Sequence, residues 1–465
     1  MRKRPCGAPM AVLHAGFLNY IVQCLASTKD VLSLLQALPC DALDEALTAL
    51  RTLVSTPRAL HAGHWPQVCI EDIDGCYTAT VLAALSVFGS VRMHHLSRLD
   101  EVLRATSSEP GADGSATIAF AAKWGHKIKS IRLTAWREHN INVLVPILCL
   151  CTGLDYIIVH AAEADPRILE AVACTTPFVT RMYLTCFGGK VVACESWLAS
   201  MTTWLASGRA RELALVGFES ADSKILARAI VGAASLTSLT LRDADSLVQG
   251  LVDTATPLPH LTVLCLDMQR DTTSLKSLLT NCIELSALRV LDVRDSSTMD
   301  NTFLLALLPR LVALEELSLW HCRMECVHSL TLAPAPRRLQ ALTVYRSFMD
   351  DTSCLSLLDW ASQSPCLKTI SLDAVATVRS QPVHLGRYVR RWIAAGVERV
   401  TIPNTSLGVE SVIAIAMALC DTYRSSRFVL YIGDGSIIMA SYAALATCSN
   451  VTLEVFEPES CKMTH

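Results

Sequence analysis

Histidines and carboxylates crowd one short stretch of this 465-residue sequence. "HAGHW" sets His61 and His64 beside Trp65, "EDIDG" supplies Glu71, Asp72 and Asp74, and His94 and His95 follow. Imidazole and carboxylate are the usual ligands of divalent cations, but a metal centre needs three or four of them converging on one point. Two histidines next to a tryptophan read as packing or surface residues. "EDIDG" lacks the later ligands of a calcium loop and reads as a solvated turn. No metal or cofactor is expected. The chain also has no GxSxG elbow, phosphate loop, HExxH helix or glycine-rich dinucleotide turn. "GDG" at 433–435 is a turn signal. No enzymatic activity is expected.

The elements that would hold such residues are written in the bulk pattern. Hydrophobic residues make up 51% of the chain and charged residues 18%, enough for a large core. The net charge of −3 carries no basic excess, which argues against a nucleic-acid partner. The 19 cysteines lie scattered in apolar runs such as "ILCLC" with no CxxC pair, the usage of reduced, buried thiols inside a cell. The N-terminus has the outline of a signal peptide, but His14, Asn19 and Gln23 interrupt it. The longest apolar run, Ile141–Leu154, is short for a membrane span and contains Pro146. An intracellular chain, cytoplasmic or nuclear and without a membrane partner, is expected.

One pattern recurs throughout: apolar-x-x-apolar-x-apolar. It appears at Ile128, Leu154, Val179, Ala210, Leu236, Leu261, Leu288, Leu314, Leu339, Leu367 and Val397, and more weakly in "RFVLYI" and "NVTLEV". The clear starts are 25 to 31 residues apart, too regular for chance. Between them the apolar period lengthens, as at Leu275, Leu278, Leu279 and Cys282, which share one helical face. Each unit is a short strand followed by a helix, and neither buries its apolar side alone, so the units must stack.

Over about residues 128–455 the chain resembles the leucine-rich-repeat family. "LEELSLWHC" matches best, with Cys322 in the Asn/Cys position. That position is filled otherwise at Trp136, Ala244, Gln269, Ser347 and Thr405, so the asparagine ladder is largely missing and the turns after the strands are expected to be irregular. The resemblance implies an α/β solenoid, curved, with a parallel sheet on the concave face and helices on the convex face.

Residues 1–64 follow a different rule. Apolar positions Leu18, Ile21, Val22 and Leu25 form one helical stripe. Ser27 or Thr28 caps the next helix, which carries Val31, Leu34 and Leu35. A third helix shows Leu43, Ala46, Leu47, Leu50 and Leu53. This all-α module resembles a divergent F-box, with "KDVLSLL" in place of the motif's centre and "HWPQV" like its closing tryptophan segment. It lacks the usual "LP" start and "V-C-R-x-W" centre. The other reading is a plain helical cap for the solenoid. Residues 65–127 read as transition repeats, interrupted by a flexible loop at 104–117 ("RATSSEPGADGSAT"). The solenoid proper covers 128–465.

Strand alternation then defines a surface. With positions 1, 4 and 6 of each repeat buried, positions 3, 5 and 7 face the concave side. Position 7 gives His160, Arg242, Asp267, Arg294, Trp320, Tyr345 and Asp373, with Thr134 and Pro403 on flanking repeats. Position 5 adds Tyr183 and Asp292, and position 3 adds Tyr156 and Arg181. Arg, Trp and Tyr dominate binding hot spots, so a protein partner on this face is expected. The resemblance to F-box/leucine-rich-repeat proteins implies the substrate receptor of a Skp–cullin–F-box ubiquitin ligase. Leu18, Ile21, Val22, Leu25, Val31, Leu34 and Leu35 would then dock a Skp-type adaptor. The alternative is an interaction scaffold with no ligase connection.

Overall fold

The computed structural model describes residues 15–60, 62–106, 114–133, 141–161, 171–172, 178–186, 191–192, 195–219, 223–268, 272–295, 300–324, 336–373, 382–402, 413–415, 417, 428–433 and 451–456. Of the positions named above, His14, His61, Thr134, Trp136, Gln269, Pro403 and Thr405 lie outside them. The chain forms two compact units, Met1–Gly189 with Glu195–Trp204, and Lys190–Cys194 with Leu205–His465.

The first unit opens with three helices, α1 (Ala15–Cys24), α2 (Thr28–Ala37) and α3 (Glu45–Ser55). Ser27 is the cap of α2: its hydroxyl accepts the Asp30 N–H at 3.1 Å and donates to the Asp30 carboxylate at 2.7 Å. Asp44 caps α3 by accepting the Leu47 N–H at 2.8 Å. Leu43, Leu47, Leu50 and Leu53 are buried, as the periodicity requires. The Trp65 indole N–H donates to the Leu25 carbonyl at 2.9 Å and its ring meets Phe88 with centroids 5.6 Å apart, tying α1 to the strands that follow.

Those strands are β1 (Gln67–Cys69), β2 (Ser90–Met93), β3 (Ile128–Leu133), β4 (Tyr156–Ala161) and β5 (Arg181–Cys186). Each lies parallel beside the next in the chain. Successive repeats pack closely where glycine permits it. A Cβ on Gly125 would stand 2.0 Å from the Leu150 carbonyl oxygen, and one on Gly153 would stand 2.2 Å from that of His126.

Two expectations for this unit need correction. Glu71 is fully buried, so "EDIDG" is not simply a solvated turn. Of the loop expected at 104–117, both ends are helical, in Leu96–Thr106 and Ser115–Trp124, and residues 107–113 lie outside the described residues. Asp100 supplies the reason. Its carboxylate accepts the N–H groups of Gly114 and Thr117, each at 3.1 Å, and so satisfies the start of the second helix from outside.

The second unit carries β6 (Glu212–Val216), β7 (Ser238–Arg242), β8 (Val263–Met268), β9 (Val290–Asp295) and β10 (Glu316–Trp320). It continues with β11 (Ala341–Tyr345), β12 (Thr369–Asp373), β13 (Arg399–Ile402), β14 (Phe428–Gly433) and β15 (Val451–Phe456). All neighbours are again parallel and in chain order. Strand order equal to chain order is the signature of stacked repeats; a doubly wound sheet would shuffle it. The fold class is therefore an α/β solenoid of leucine-rich-repeat type, preceded by an all-α module.

The join between rungs is itself periodic. The Thr262 carbonyl accepts the N–H groups of Arg289 and Val290, the Arg289 carbonyl those of Glu315 and Glu316, and the Glu315 carbonyl those of Gln340 and Ala341. Leu239, Leu241, Leu264, Leu266, Leu291, Val293, Leu317, Leu319, Leu342 and Val344 face the helix side, none more than 3% exposed.

Three of the described turns after strands are more regular than expected. Asp243, His321 and Arg346 each adopt positive φ (50°, 56° and 44°) just past a strand. Their N–H groups donate to Asp267, Tyr345 and Asp373 carbonyls on the next rung. Ser347 takes over the missing asparagine's work. Its hydroxyl accepts the Cys322 N–H and donates to the Leu319 and Tyr345 carbonyls, all at 3.2 Å. The Cys322 thiol donates to the Val293 carbonyl at 3.7 Å. Like Cys69, Cys151, Cys282 and Cys354, Cys322 is buried.

Candidate functional site

Parallel pairing without slippage turns equivalent repeat positions into straight rows. In the second unit the pairs Arg242–Asp267, Asp267–Arg294, Arg294–Trp320, Trp320–Tyr345 and Tyr345–Asp373 are all in register. Six residues drawn from six repeats thus form one row on the face opposite the leucines. Asp292 lies in the neighbouring row, level with Cys265 and Ser318.

The middle of the row is a stack. The Arg294 guanidinium lies 4.3 Å from the Trp320 ring centroid, and the Trp320 and Tyr345 rings are 4.4 Å apart. Asp292 holds Arg294 from the side, with carboxylate contacts of 3.1 and 3.4 Å. Trp320 is half-buried rather than openly exposed, because Arg294 and Tyr345 sandwich it. Its indole N–H has no hydrogen-bond partner among the described residues. Arg346, 5.2 Å from the Tyr345 ring, and His321, edge-on at 5.6 Å, complete the cluster. These two follow the strands in left-handed turns, so the strand pattern carried no signal for them.

Charge is graded along the row. Burial and the neighbouring Asp243 carboxylate push Asp267 above the usual carboxylate range, while Arg242 and Arg294 act the other way. Asp373, at the far end, is only 4% exposed. Its expected place on an accessible surface is corrected: the turn at Arg346 sits against the end of its strand, with the Arg346 N–H 2.7 Å from the Asp373 carbonyl.

In the first unit, Tyr156 pairs in register with Arg181 and His160 with Thr185. Arg181 lies 4.9 Å from the Tyr156 ring centroid and is held by Asp155 at 2.7 Å. His160 and Tyr183 have ring centroids 6.5 Å apart. Burial, reinforced by Arg132, pushes His160 below its ordinary pKa and favours the neutral ring.

The seven apolar residues assigned to adaptor docking divide. Leu18, Val22, Val31 and Leu35 are in the helical core, at most 2% exposed, so they cannot form an outer docking surface. Ile21, Leu25 and Leu34 are half-buried. The exposed apolar side chains of α1 are Phe17 and Tyr20. The helical period identified a buried stripe, and the neighbouring helices are what cover it.

No described helix is long and apolar enough to cross a membrane. No protein-family model matches the chain, and no curated protein matches it. Among solved structures, it is similar to one described as the Rad7 and Elc1 complex in yeast. Identity is 14% over 78% of this chain and 83% of that one, with a TM-score of 0.42. It is also similar to one described as a TLR13–ssRNA13 complex, at 12% identity over 79% of this chain and 55% of that one, with a TM-score of 0.38.

Proposed function

We propose that this chain is a protein-interaction receptor that binds its partner on the open face of the sheet, around Arg294, Trp320 and Tyr345. The stack formed by those three residues carries the reading. A large apolar area is held by its own neighbours, beside fixed charges and an indole N–H with no partner among the described residues. Binding there orders few side chains, and a partner acceptor satisfies the indole. The protein performs no chemistry; it supplies proximity.

The more specific form of the proposal is a substrate receptor of a Skp–cullin–F-box type ligase, with the N-terminal helices docking the adaptor. Phe17 and Tyr20, with the half-buried Ile21, Leu25 and Leu34, offer the apolar surface for that contact. The second reading is a scaffold without a ligase connection, favoured by the burial of Leu18, Val22, Val31 and Leu35. Binding of purified Skp-type adaptor to the full-length chain decides between them. Capture that is lost in Phe17→Asp with Tyr20→Asp supports the ligase form; no capture by the unaltered chain leaves the scaffold.

A further inference from the structure

Asp72 and His94, from the stretch rich in histidines and carboxylates, converge with Cys69. Cys69 ends β1, Asp72 lies in the 3-10 turn that follows it, and His94 follows β2 directly. Strand pairing sets Cys69 level with Arg92, which brings His94 to the same end of the sheet as the turn. One ligand atom from each of Cys69, Asp72 and His94 lies within 4.8 Å of the other two. His94 Nδ1 and Asp72 Oδ2 are 3.8 Å apart. Neighbouring ligand atoms around a tetrahedral ion of zinc's size stand roughly 3.5 Å apart, since metal–ligand bonds run about 2.0–2.3 Å. The cluster needs to close by about an ångström.

A second observation points the same way. Glu71 is fully buried, yet among the described residues only one of its oxygens accepts N–H groups. Oε1 accepts the N–H groups of His94 and His95, the latter at 3.0 Å, and so fixes the backbone that carries the His94 ring. Among the described residues Oε2 accepts no N–H or hydroxyl, and the Cys69 thiol is the polar group interacting with this carboxylate. A carboxylate removed from water with a bare oxygen is costly unless positive charge is near. Arg92 and Arg132 both face His94 and supply part of it. Burial, with the Glu71 and Asp72 carboxylates, pushes the Cys69 thiol up and keeps it protonated until a cation displaces the proton.

We infer that Cys69, Asp72 and His94 form a binding site for a divalent cation of the zinc class, with Glu71 orienting His94 and balancing the charge beside it. Thiolate, imidazole and carboxylate are the donor set that suits such an ion, whereas calcium and magnesium prefer oxygen alone. Three protein ligands leave a fourth position open to water or to a donor from a partner. Binding breaks the Cys69 S–H bond, and that proton goes to solvent. The ion would clamp the turn after β1 to the end of β2.

Cobalt(II) tests the site, because its spectrum reports the ligands. The full-length chain, stripped with a chelator, is titrated with cobalt(II) and then with zinc(II). The expected result is one equivalent with a sulfur-to-cobalt charge-transfer band and the visible bands of a four-coordinate ion, both abolished by zinc. Cys69→Ser should remove the charge-transfer band. His94→Gln and Asp72→Asn should each weaken cobalt binding by about 10- to 100-fold. Cys76→Ser, an exposed thiol close in sequence, should leave the spectrum unchanged. The inference is overturned by the absence of a charge-transfer band in the unaltered chain. A band that persists in Cys69→Ser, or binding indifferent to His94→Gln, overturns it equally. The half-buried His94 and the exposed Asp72 keep the test decisive even if Cys69→Ser fails to fold.

Discussion

Two carboxylates in the first unit are almost equally buried and differently served. Asp100 is 4% exposed and Glu71 is fully enclosed. Asp100 receives hydrogen bonds from the N–H groups of Gly114 and Thr117 and from the Thr117 hydroxyl, each at 3.1 Å, and an ion pair from Arg104 at 2.7 Å. Both of its oxygens are used. Glu71 takes two N–H groups on one oxygen, and among the described residues the other accepts no N–H or hydroxyl. A buried charge that is fully hydrogen-bonded organises structure. One that is less completely bonded, beside a thiol and an imidazole, is where the cation site is proposed. The same contrast separates the open face of the second unit, where Asp292, Arg294, Trp320 and Tyr345 already engage one another, from the cluster at the strand ends of the first.

The largest effect that sharpens this comparison lies in the shared leucine core. Leu317→Ala should lower the unfolding free energy by about 2–5 kcal/mol, because a fully enclosed side chain leaves a cavity. Urea denaturation measures it. A loss below about 1 kcal/mol would mean the rung is looser than its burial implies.

Asp100→Asn comes next, with an expected loss of about 2–3 kcal/mol, since it keeps the shape but weakens four charge-assisted contacts. Burial alone would raise the Asp100 pKa, but the hydrogen bonds from Gly114 and Thr117 and the Arg104 charge outweigh it and hold the carboxyl below its ordinary value. A depressed folded-state pKa stabilises the protein above the unfolded value, and that contribution disappears as pH falls through the folded one. Denaturation between neutral and strongly acidic pH should therefore show a slope that Asp100→Asn flattens. Equal slopes in both proteins would remove Asp100 from the list of structural carboxylates.

Glu71→Gln should behave in the opposite sense. With chelator present, the amide still accepts the His94 and His95 N–H groups and removes an incompletely paired charge. Stability should stay within about 1 kcal/mol of the parent or rise. A loss as large as that of Asp100→Asn would show that Glu71 is already fully served.

The smallest stability effect belongs to the open face. Trp320→Ala and Tyr345→Ala should each cost about 1 kcal/mol or less in thermal unfolding, since the half-buried rings stack mainly on one another and on Arg294. Partner affinity should meanwhile fall roughly 10- to 100-fold in a direct binding measurement. A stability loss like that of Leu317→Ala would place the rings in the core rather than on a binding face.

The repeat, its length and its inward leucines were legible without coordinates, because each strand-and-helix unit hides its apolar side in the same way. Leu239, Leu241, Leu317 and Leu319 are buried where the pattern puts them. The cap of the second helix could be narrowed to Ser27 or Thr28 because capping is a local exchange between a side chain and an N–H three residues on, and the structure assigns it to Ser27. The row from Arg242 to Tyr345 could be drawn because parallel strands of equal phase stack without slippage.

The periodicity did not say what covers each face. Leu18 and Val22 formed an apolar stripe in either case, and only the packing of the helices made them core. Ser347 broke the asparagine pattern, yet its hydroxyl reaches the same backbone groups. Cys69 and His94 stand 25 positions apart with no spacing that a motif search would flag. The pairing of β1 with β2 brings them together. Local hydrogen bonding and hydrophobic period are properties of neighbouring residues and can be read along the chain. Burial, charge balance and the convergence of ligands depend on residues a full repeat away, and those are set only when the rungs stack.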